Sequence, residues 1–304
     1  MRGGGQERSI SNLANFFAIQ GYQITLVTLF KTEQFYEIDN RIKVIWPAID
    51  RSRHHRLMYA LLMLPFLRRI IKKMSPDAVL SFGEWFNPFV ILSTRFLNIP
   101  VYAFDRMGPE MKLDPLIQFS RRVLYKYATG VVVQTAAAAQ KVKEKTNATN
   151  VAVIPNALNP VNADSKNKKK VIVSVGRLSP EKGHIILLRA FSRIEQIDWH
   201  LSIVGDGPER SVLEKEAINL GVIDRVHFLG HLKDFASILG ESEIFVLPSY
   251  HEGFPNALLE AMSVPLACVS SDCVAGPSDI IVQGVNGLLV KPGDVEELAK
   301  AIEL

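Results

Sequence analysis

Short apolar runs alternate along the chain with longer stretches in which apolar positions recur every three or four residues. In the first half the runs fall at 23–29, 42–46, 78–82, 101–104, 130–134 and 151–154. Helical periodicity fills the intervals at 6–20, 56–74, 87–97, 113–127 and 136–145. The runs are near-continuous, as expected of strands covered on both faces. That pattern predicts an α/β protein with a doubly wound parallel sheet. The polar stretch Ala-Asp-Ser-Lys-Asn-Lys-Lys-Lys at 163–170 reads as an exposed linker. After it the alternation restarts, with strands predicted at 171–175, 200–204, 226–229, 244–247 and 266–270. Helices are predicted at 181–194, 208–219, 232–239, 256–262 and 295–304. The chain therefore divides into one domain over 1–162, a linker over 163–170 and a second domain over 171–304. Two such domains joined by a hinge define a cleft at the carboxyl ends of their strands, where ligands of this architecture bind.

Size and composition agree with two cores. The chain has 304 residues, 48% hydrophobic and 22% charged, within the range of globular proteins. The net charge of +4 hides an asymmetry. Residues 1–165 carry 21 Lys and Arg against 12 Asp and Glu, a net of +9; the remainder carries 14 against 19, a net of −5. The halves thus suit different partners. Two cysteines, Cys268 and Cys273, provide neither a metal-ligand spacing nor a disulfide framework, which makes a reducing cytoplasm the default. The polar N-terminus predicts no secretory signal. The longest apolar run, 57–67, contains Pro65 and is too short to span a bilayer.

The most informative chemistry lies in Glu252-Gly-Phe-Pro-Asn-Ala-Leu-Leu-Glu260. Glu252 follows an apolar strand and a Pro-Ser-Tyr-His turn; Glu260 lies on the helix predicted to begin near Asn256. Free N–H groups around Phe254 to Ala257 suit a phosphate, and carboxylates suit hydroxyls. Alternatively, the two glutamates are solvated groups on a surface helix. Gly176-Arg-Leu-Ser-Pro-Glu-Lys-Gly183 follows the strand at 171–175, which sets Arg177 and Lys182 at the carboxyl edge of the sheet. Two fixed cations there can hold a diphosphate and stabilise its charge as it departs.

Other motifs are less decisive. Val204-Gly-Asp-Gly-Pro208 is either a nucleobase contact or a structural turn between strand and helix, and it lacks the spacing of a dinucleotide fingerprint. Gly3-Gly4-Gly5 opens the first helix and permits close approach to a phosphate or an acceptor, or is a flexible terminus. Arg51, Arg53, Arg56, Arg68, Arg69, Lys72 and Lys73 bracket the apolar stretch 57–67, with no acid between 51 and 73. That is the composition of a helix lying on an anionic membrane surface, or of a core helix with solvated basic ends. Aromatic interleaving on a strand platform is missing, which argues against nucleic acid. The histidines show no metal spacing, and only His251, beside Glu252, stands near the candidate site.

Taken together, 176–183, the Val-Gly-Asp-Gly-Pro turn, Phe228-Leu-Gly-His231 and the Glu252/Glu260 pair resemble the retaining glycosyltransferases of family 4, which have the GT-B fold. The resemblance covers nearly the whole chain. It implies that Arg177 and Lys182 bind the donor diphosphate, that Glu252 contacts the donor sugar and that Glu260 contacts the ribose. Gly253, Phe254, Pro255, Asn256 and Ala257 would cap the phosphates through their backbone. Gly4 and Gly5 resemble the family's glycine loop. Asp105 and Arg106, with the segment 271–280, resemble the branch that adds N-acetylhexosamine-type sugars to polyprenyl-linked or lipopolysaccharide-type acceptors. The resemblance further implies a UDP-sugar donor, no cofactor, no metal, and retention by front-face attack with the departing phosphate deprotonating the acceptor. A cytoplasmic enzyme, peripheral on the inner face of the membrane, is the corresponding expectation.

Two departures accompany the resemblance. The family begins with a buried strand ahead of the glycine loop and ends with a helix crossing back to the first domain; both are expected to be missing here, and the chain to be poorly stable. A non-catalytic sugar-nucleotide-binding protein and an epimerase of GT-B fold are the competing expectations. Transfer to an acceptor would exclude the first, and failure to form product without an acceptor would exclude the second.

Overall fold

The computed structural model describes residues 5–30, 36–106, 108, 110, 112–158, 161–163, 165, 167–232 and 234–304. Their contacts form two compact units, one over 1–107 and 112–154, the other over 155–304 together with 108–111.

The first unit contains α1 (Gly5–Ile19), β1 (Thr25–Val27), β2 (Lys43–Ile45), α2 (Arg56–Met74), β3 (Val79–Phe82), α3 (Asn87–Thr94), β4 (Val101–Phe104), α4 (Pro115–Leu124), β5 (Gly130–Val133), α5 (Ala136–Lys145) and β6 (Val151–Val153). Its strands are parallel but form two sheets, β1-β2 and β3-β4-β5-β6. α2 keeps its predicted bounds despite Pro65. Tyr59, Met63, Leu67 and Ile71, four residues apart, are all buried. They form the inward stripe expected at helical spacing, so α2 is chiefly a core helix.

The second unit contains β7 (Val171–Val175), α6 (His184–Phe191), β8 (His200–Val204), α7 (Arg210–Asn219), β9 (Val226–Gly230), α8 (Ala236–Glu241), β10 (Ile244–Leu247), α9 (Asn256–Met262), β11 (Ala267–Ser271), α10 (Pro277–Ile280), β12 (Leu288–Val290) and α11 (Val295–Glu303). Its six parallel strands run in the order β12-β11-β10-β7-β8-β9. Both faces are covered. Ile172, Leu201, Ile203, Ile244 and Val246 pack into one core, while Val173, Val204, Phe245 and Leu247 pack into the other. Alternate residues of one strand thus enter opposite cores, which is why these runs are continuously apolar. Strand order reverses between β7 and β10, so the loops leaving their carboxyl ends diverge around a topological switch point.

The structure corrects two boundaries and adds two elements. Residues 155–162, predicted to belong to the first domain, belong to the second unit: Val161 packs against its core, as does Ala163 from the predicted linker. The single helix expected over 181–194 is interrupted. A 3-10 turn (Pro180–Lys182) ends at Gly183, whose φ of +65° begins α6 afresh. β12 and α10 were not predicted, being respectively three and four residues long.

Gly183 is where the two switch-point loops touch. A Cβ there would lie 2.1 Å from the Pro248 carbonyl oxygen and would require a left-handed backbone. Gly183→Ala is expected to destabilise the second unit by roughly 1–3 kcal/mol, the range for a strained non-glycine residue held by its surroundings. A urea midpoint unchanged from the parent would show that the loops separate without cost.

Candidate functional site

The loops after β7 and β10 bring the predicted cation and carboxylate together. Lys182 Nζ donates to Glu252 Oε1 at 2.7 Å, and the Ser249 hydroxyl donates to the same oxygen at 2.7 Å. The Glu252 side chain is 6% exposed and that of Lys182 is 25% exposed. Taking a carboxylate out of water is costly unless it is paired and hydrogen-bonded, and here it is both. Glu260 on α9 is also buried. Neither glutamate is therefore a solvated surface group.

The backbone holds the two loops in register. The N–H groups of Tyr250 and His251 both donate to the Glu181 carbonyl, at 2.9 and 3.4 Å. The Ser179 hydroxyl donates to the Glu181 carboxylate at 2.6 Å. The turn at 204–208 supports the β7 loop from below: Leu178 N–H donates to the Asp206 carbonyl at 3.1 Å, and Glu209 N–H to the Leu178 carbonyl at 3.0 Å. This is the structural role of the two considered for that turn. Arg177 is exposed on the same loop; its carbonyl accepts the Ser179 N–H at 3.0 Å, and its guanidinium makes no hydrogen bond or ion pair among the described residues. His184, at the start of α6, lies against the position a Gly176 side chain would take, as does the Lys182 stem. Burial pushes the His184 pKa down to about 4, so the ring beside Lys182 is neutral near pH 7.

On the β10 side, Gly253, Phe254, Pro255, Asn256 and Ala257 form the turn into α9. Asn156 Nδ2 donates to Asn256 Oδ1 at 2.6 Å, and Pro255 is buried. Several neighbours of Glu252 were not anticipated. Besides Ser249 they include Cys273, whose thiol is pushed up to about 11 by burial and by Glu252 beside it. It is a protonated thiol at neutral pH, and no nucleophile. Gly108 and Glu110 also belong here. A Cβ on Gly108 would come within 2.6 Å of the Glu252 carbonyl oxygen, and Glu110 Oε2 meets His251 Nδ1 at 2.9 Å. No sequence motif joins positions 108 and 252; only the folded backbone does.

The other predicted site residues belong to the first unit. Gly4 lies outside the described residues, and Gly5 begins α1. Asp105, at the end of β4, is buried and pairs with the Arg121 guanidinium; the Tyr125 hydroxyl donates to the same Oδ2 at 3.1 Å. Its carboxylate is thus held within the unit by partners from the α4 region. Arg106 lies over the Phe82 and Phe104 rings, 5.5 and 5.4 Å from their centroids, and its backbone N–H donates to Glu84 Oε1. Glu84 was not predicted. Burial, with Asp105 beside it, raises its carboxyl to about 7.

That shift has a thermodynamic sign. An unfolded glutamate loses its proton near its ordinary value, whereas the folded Glu84 keeps it to higher pH. Between the two values the folded state binds the extra proton, so the contribution to stability falls as pH rises. Glu84→Gln retains an acceptor for the Arg106 N–H and has no proton to lose. Relative to the parent, its melting temperature should fall less between about pH 5 and about pH 8, and at the upper end it should be higher by a few degrees. A parental slope left unchanged in the variant would remove Glu84 as its source.

Comparison with known proteins also divides the chain in two, close to the boundary expected from the sequence. Residues 3–161 match the model of Glycosyltransferase Family 4, and residues 158–304 match Glycosyl transferases group 1. An uncharacterized glycosyltransferase of Haemophilus influenzae is 29% identical over 99% of this chain and 86% of its own length. A Campylobacter jejuni enzyme named GalNAc-alpha-(1->4)-GalNAc-alpha-(1->3)-diNAcBac-PP-undecaprenol alpha-1,4-N-acetyl-D-galactosaminyltransferase is 27% identical over 100% of this chain and 86% of its own. Among solved structures, Anabaena Alr3699/HepE in complex with UDP superposes with a TM-score of 0.77 at 20% identity, over 99% of this chain and 86% of that one, a likeness of fold. Both units are the parallel α/β domains of a GT-B protein, and the chain belongs to the family 4 glycosyltransferases.

Proposed function

We propose that this protein is a retaining glycosyltransferase that moves a sugar from a UDP-sugar to a hydroxyl of a lipid-linked or surface-polysaccharide acceptor. The observation that carries the proposal is the Lys182–Glu252 pair where strand order reverses, with Arg177 exposed on the same loop. A cation and a carboxylate so placed match the two ends of a nucleotide sugar: charge for the diphosphate, acceptor oxygens for the sugar hydroxyls.

In this reading Arg177 and Lys182 hold the diphosphate and stabilise the negative charge it gains as the anomeric bond breaks. Lys182 has three donors, so it can keep Glu252 and still reach a phosphate oxygen. Glu252 orients the sugar, Glu260 contacts the ribose, and the 253–257 backbone meets the phosphates. The acceptor oxygen bonds to the anomeric carbon on the face from which UDP departs. UDP leaves with the bonding electron pair, and its phosphate takes the acceptor proton. The two side-chain cations supply the positive charge that a divalent metal supplies elsewhere, so the proposal needs no metal or cofactor. An N-acetylhexosamine donor and a polyprenyl-linked acceptor are the finer reading, supported by the name of the Campylobacter relative.

The basic residues of the 51–73 segment bear on where this reaction occurs. Arg68 is not available to a membrane, because its Nη1 donates to the carbonyls of Ser93 and Arg95 at 3.0 and 2.8 Å. Arg69, Lys72 and Lys73 remain exposed. We include an anionic membrane surface, at the cytoplasmic face, in the proposal through these three.

Calorimetry with UDP, GDP, ADP and CMP tests the donor site. Selective binding of UDP, lost in Glu260→Ala, is expected; binding of none of the four would overturn the donor assignment. With a transferable acceptor, Glu252→Ala and Arg177→Ala should each lower the rate by a factor on the order of 100 or more. Rates close to the parent in both would sink the residue roles.

A further inference from the structure

α4 departs from the usual arrangement of an amphipathic helix: it buries a charge and exposes an apolar face. Such a helix normally buries its apolar stripe and exposes its charges. In α4 the buried residue is Arg121, drawn inward to Asp105. Leu116, Phe119 and Val123, three and four positions apart and hence on one face, are 63%, 64% and 38% exposed. The stripe continues into Tyr127 of the 3-10 turn that follows, 42% exposed. The end of α3 joins it there. The Arg95 guanidinium lies 3.9 Å from the Tyr127 ring centroid and 4.7 Å from that of Phe96. Phe96 is 84% exposed and sits at a φ of +64°, a conformation bulky residues rarely hold. An exposed aromatic on a strained backbone needs a reason beyond the fold of the free chain.

The charge around this face is predominantly basic. Arg95, Arg122 and Lys126 border it. The one acid between residues 112 and 130, Asp114, is the N-cap of α4 and accepts the Leu116 N–H at 2.9 Å. An apolar centre with a predominantly basic rim is complementary to a surface that is apolar within and negative outside.

We propose that this face seats on an anionic lipid bilayer. Leu116, Phe119, Val123 and Phe96 enter the acyl boundary, Tyr127 sits at headgroup depth, and Arg95, Arg122 and Lys126 meet lipid phosphates. A bilayer rewards both features together: apolar area leaves water, and each basic group near the surface adds about fivefold in affinity. This deepens the proposed action on a lipid-linked acceptor and moves the main docking surface from α2 to α4.

The test is sedimentation of the full chain with vesicles of phosphatidylcholine alone and mixed with phosphatidylglycerol, which involves no turnover. Binding to the mixed vesicles, weakened by salt, is expected. The triple variant Leu116→Ser/Phe119→Ser/Val123→Ser should lose at least about tenfold in affinity. Arg122→Gln/Lys126→Gln should lose about fivefold for each charge removed, and guards against misfolding of the triple variant. Arg69→Ser/Lys72→Ser/Lys73→Ser should lose less than the triple variant. Phe119→Trp should shift its fluorescence to the blue on adding mixed vesicles. Parental binding by both α4 variants would overturn the inference, with the α2 surface then carrying whatever binding exists. So would a dimer, seen by light scattering, that the triple variant abolishes while the parent ignores vesicles. If the donor proves not to be a UDP-sugar but vesicle binding depends on α4, the docking inference stands and the donor reading falls.

Discussion

A carboxylate withdrawn from water must find a cation or donors, and Glu252 finds both. Lys182 comes from the loop after β7; Ser249 comes from its own loop after β10. The pairing makes sense only because those strands are neighbours in the sheet, with Ile244 beside Ile172, while the chain departs from them in opposite directions. Every other feature of the site is arranged around that bond. The Glu181 carbonyl receives two N–H groups from the β10 loop, Gly183 lets the backbones touch, and the 204–208 turn props the β7 loop from below. Removing one partner would leave a buried charge uncompensated, which costs more than the pair contributes when intact. The loops are therefore held in one arrangement before any ligand arrives, the condition for electrostatic stabilisation without reorganisation.

The alternation of apolar runs was a reliable guide, most of all in the six-stranded sheet, whose two faces are both covered. β4, β7, β8 and β10 occupy their expected bounds, as do α2, α5 and α9. The misreadings have physical causes. Periodicity carried the predicted helix through Gly183, because the apolar spacing on either side is compatible with one helix; the close approach of the Pro248 carbonyl, remote in sequence, leaves no room for a side chain there. Residues 155–162 carry no composition shift, and their attachment to the second unit depends on packing of Val161. At the site, Lys182 and Glu252 were legible as residue types on strand-following loops. Their mutual bond was not, nor were Cys273, Gly108 and Glu110, which folding alone brings beside Glu252 and its neighbour His251; Ser249 lies three residues away, but its hydroxyl contact was not legible either. Glu84 was invisible for another reason: a lone glutamate after a strand becomes unusual only when buried against a second carboxyl group.

The first unit shows how one buried charge propagates to a surface. Asp105 lies at the carboxyl end of β4, near Glu84, and needs a cation. α4 supplies Arg121, with Tyr125 one turn further on; Asn87 Nδ2 donates to that hydroxyl at 3.2 Å and is itself held by the Ser81 hydroxyl at 2.8 Å. Turning Arg121 inward fixes the rotation of α4 about its axis. Once that rotation is set, positions 116, 119 and 123 must face away from the unit, whatever residues occupy them. Polar residues there would make α4 an ordinary solvated helix. Leucine, phenylalanine and valine there instead create an apolar face whose orientation is determined by an ion pair on the opposite side. The polar network at the end of β4 and the proposed lipid-facing surface are thus two consequences of the same constraint. Loss of the Arg121–Asp105 pair would free α4 to rotate its apolar side toward the sheet, at the expense of an unpaired buried carboxylate beside Glu84. The ion pair therefore does more for the orientation of α4 than for the net stability of the unit, because a well-packed apolar replacement could match its energy but would leave the helix no reason to face outward.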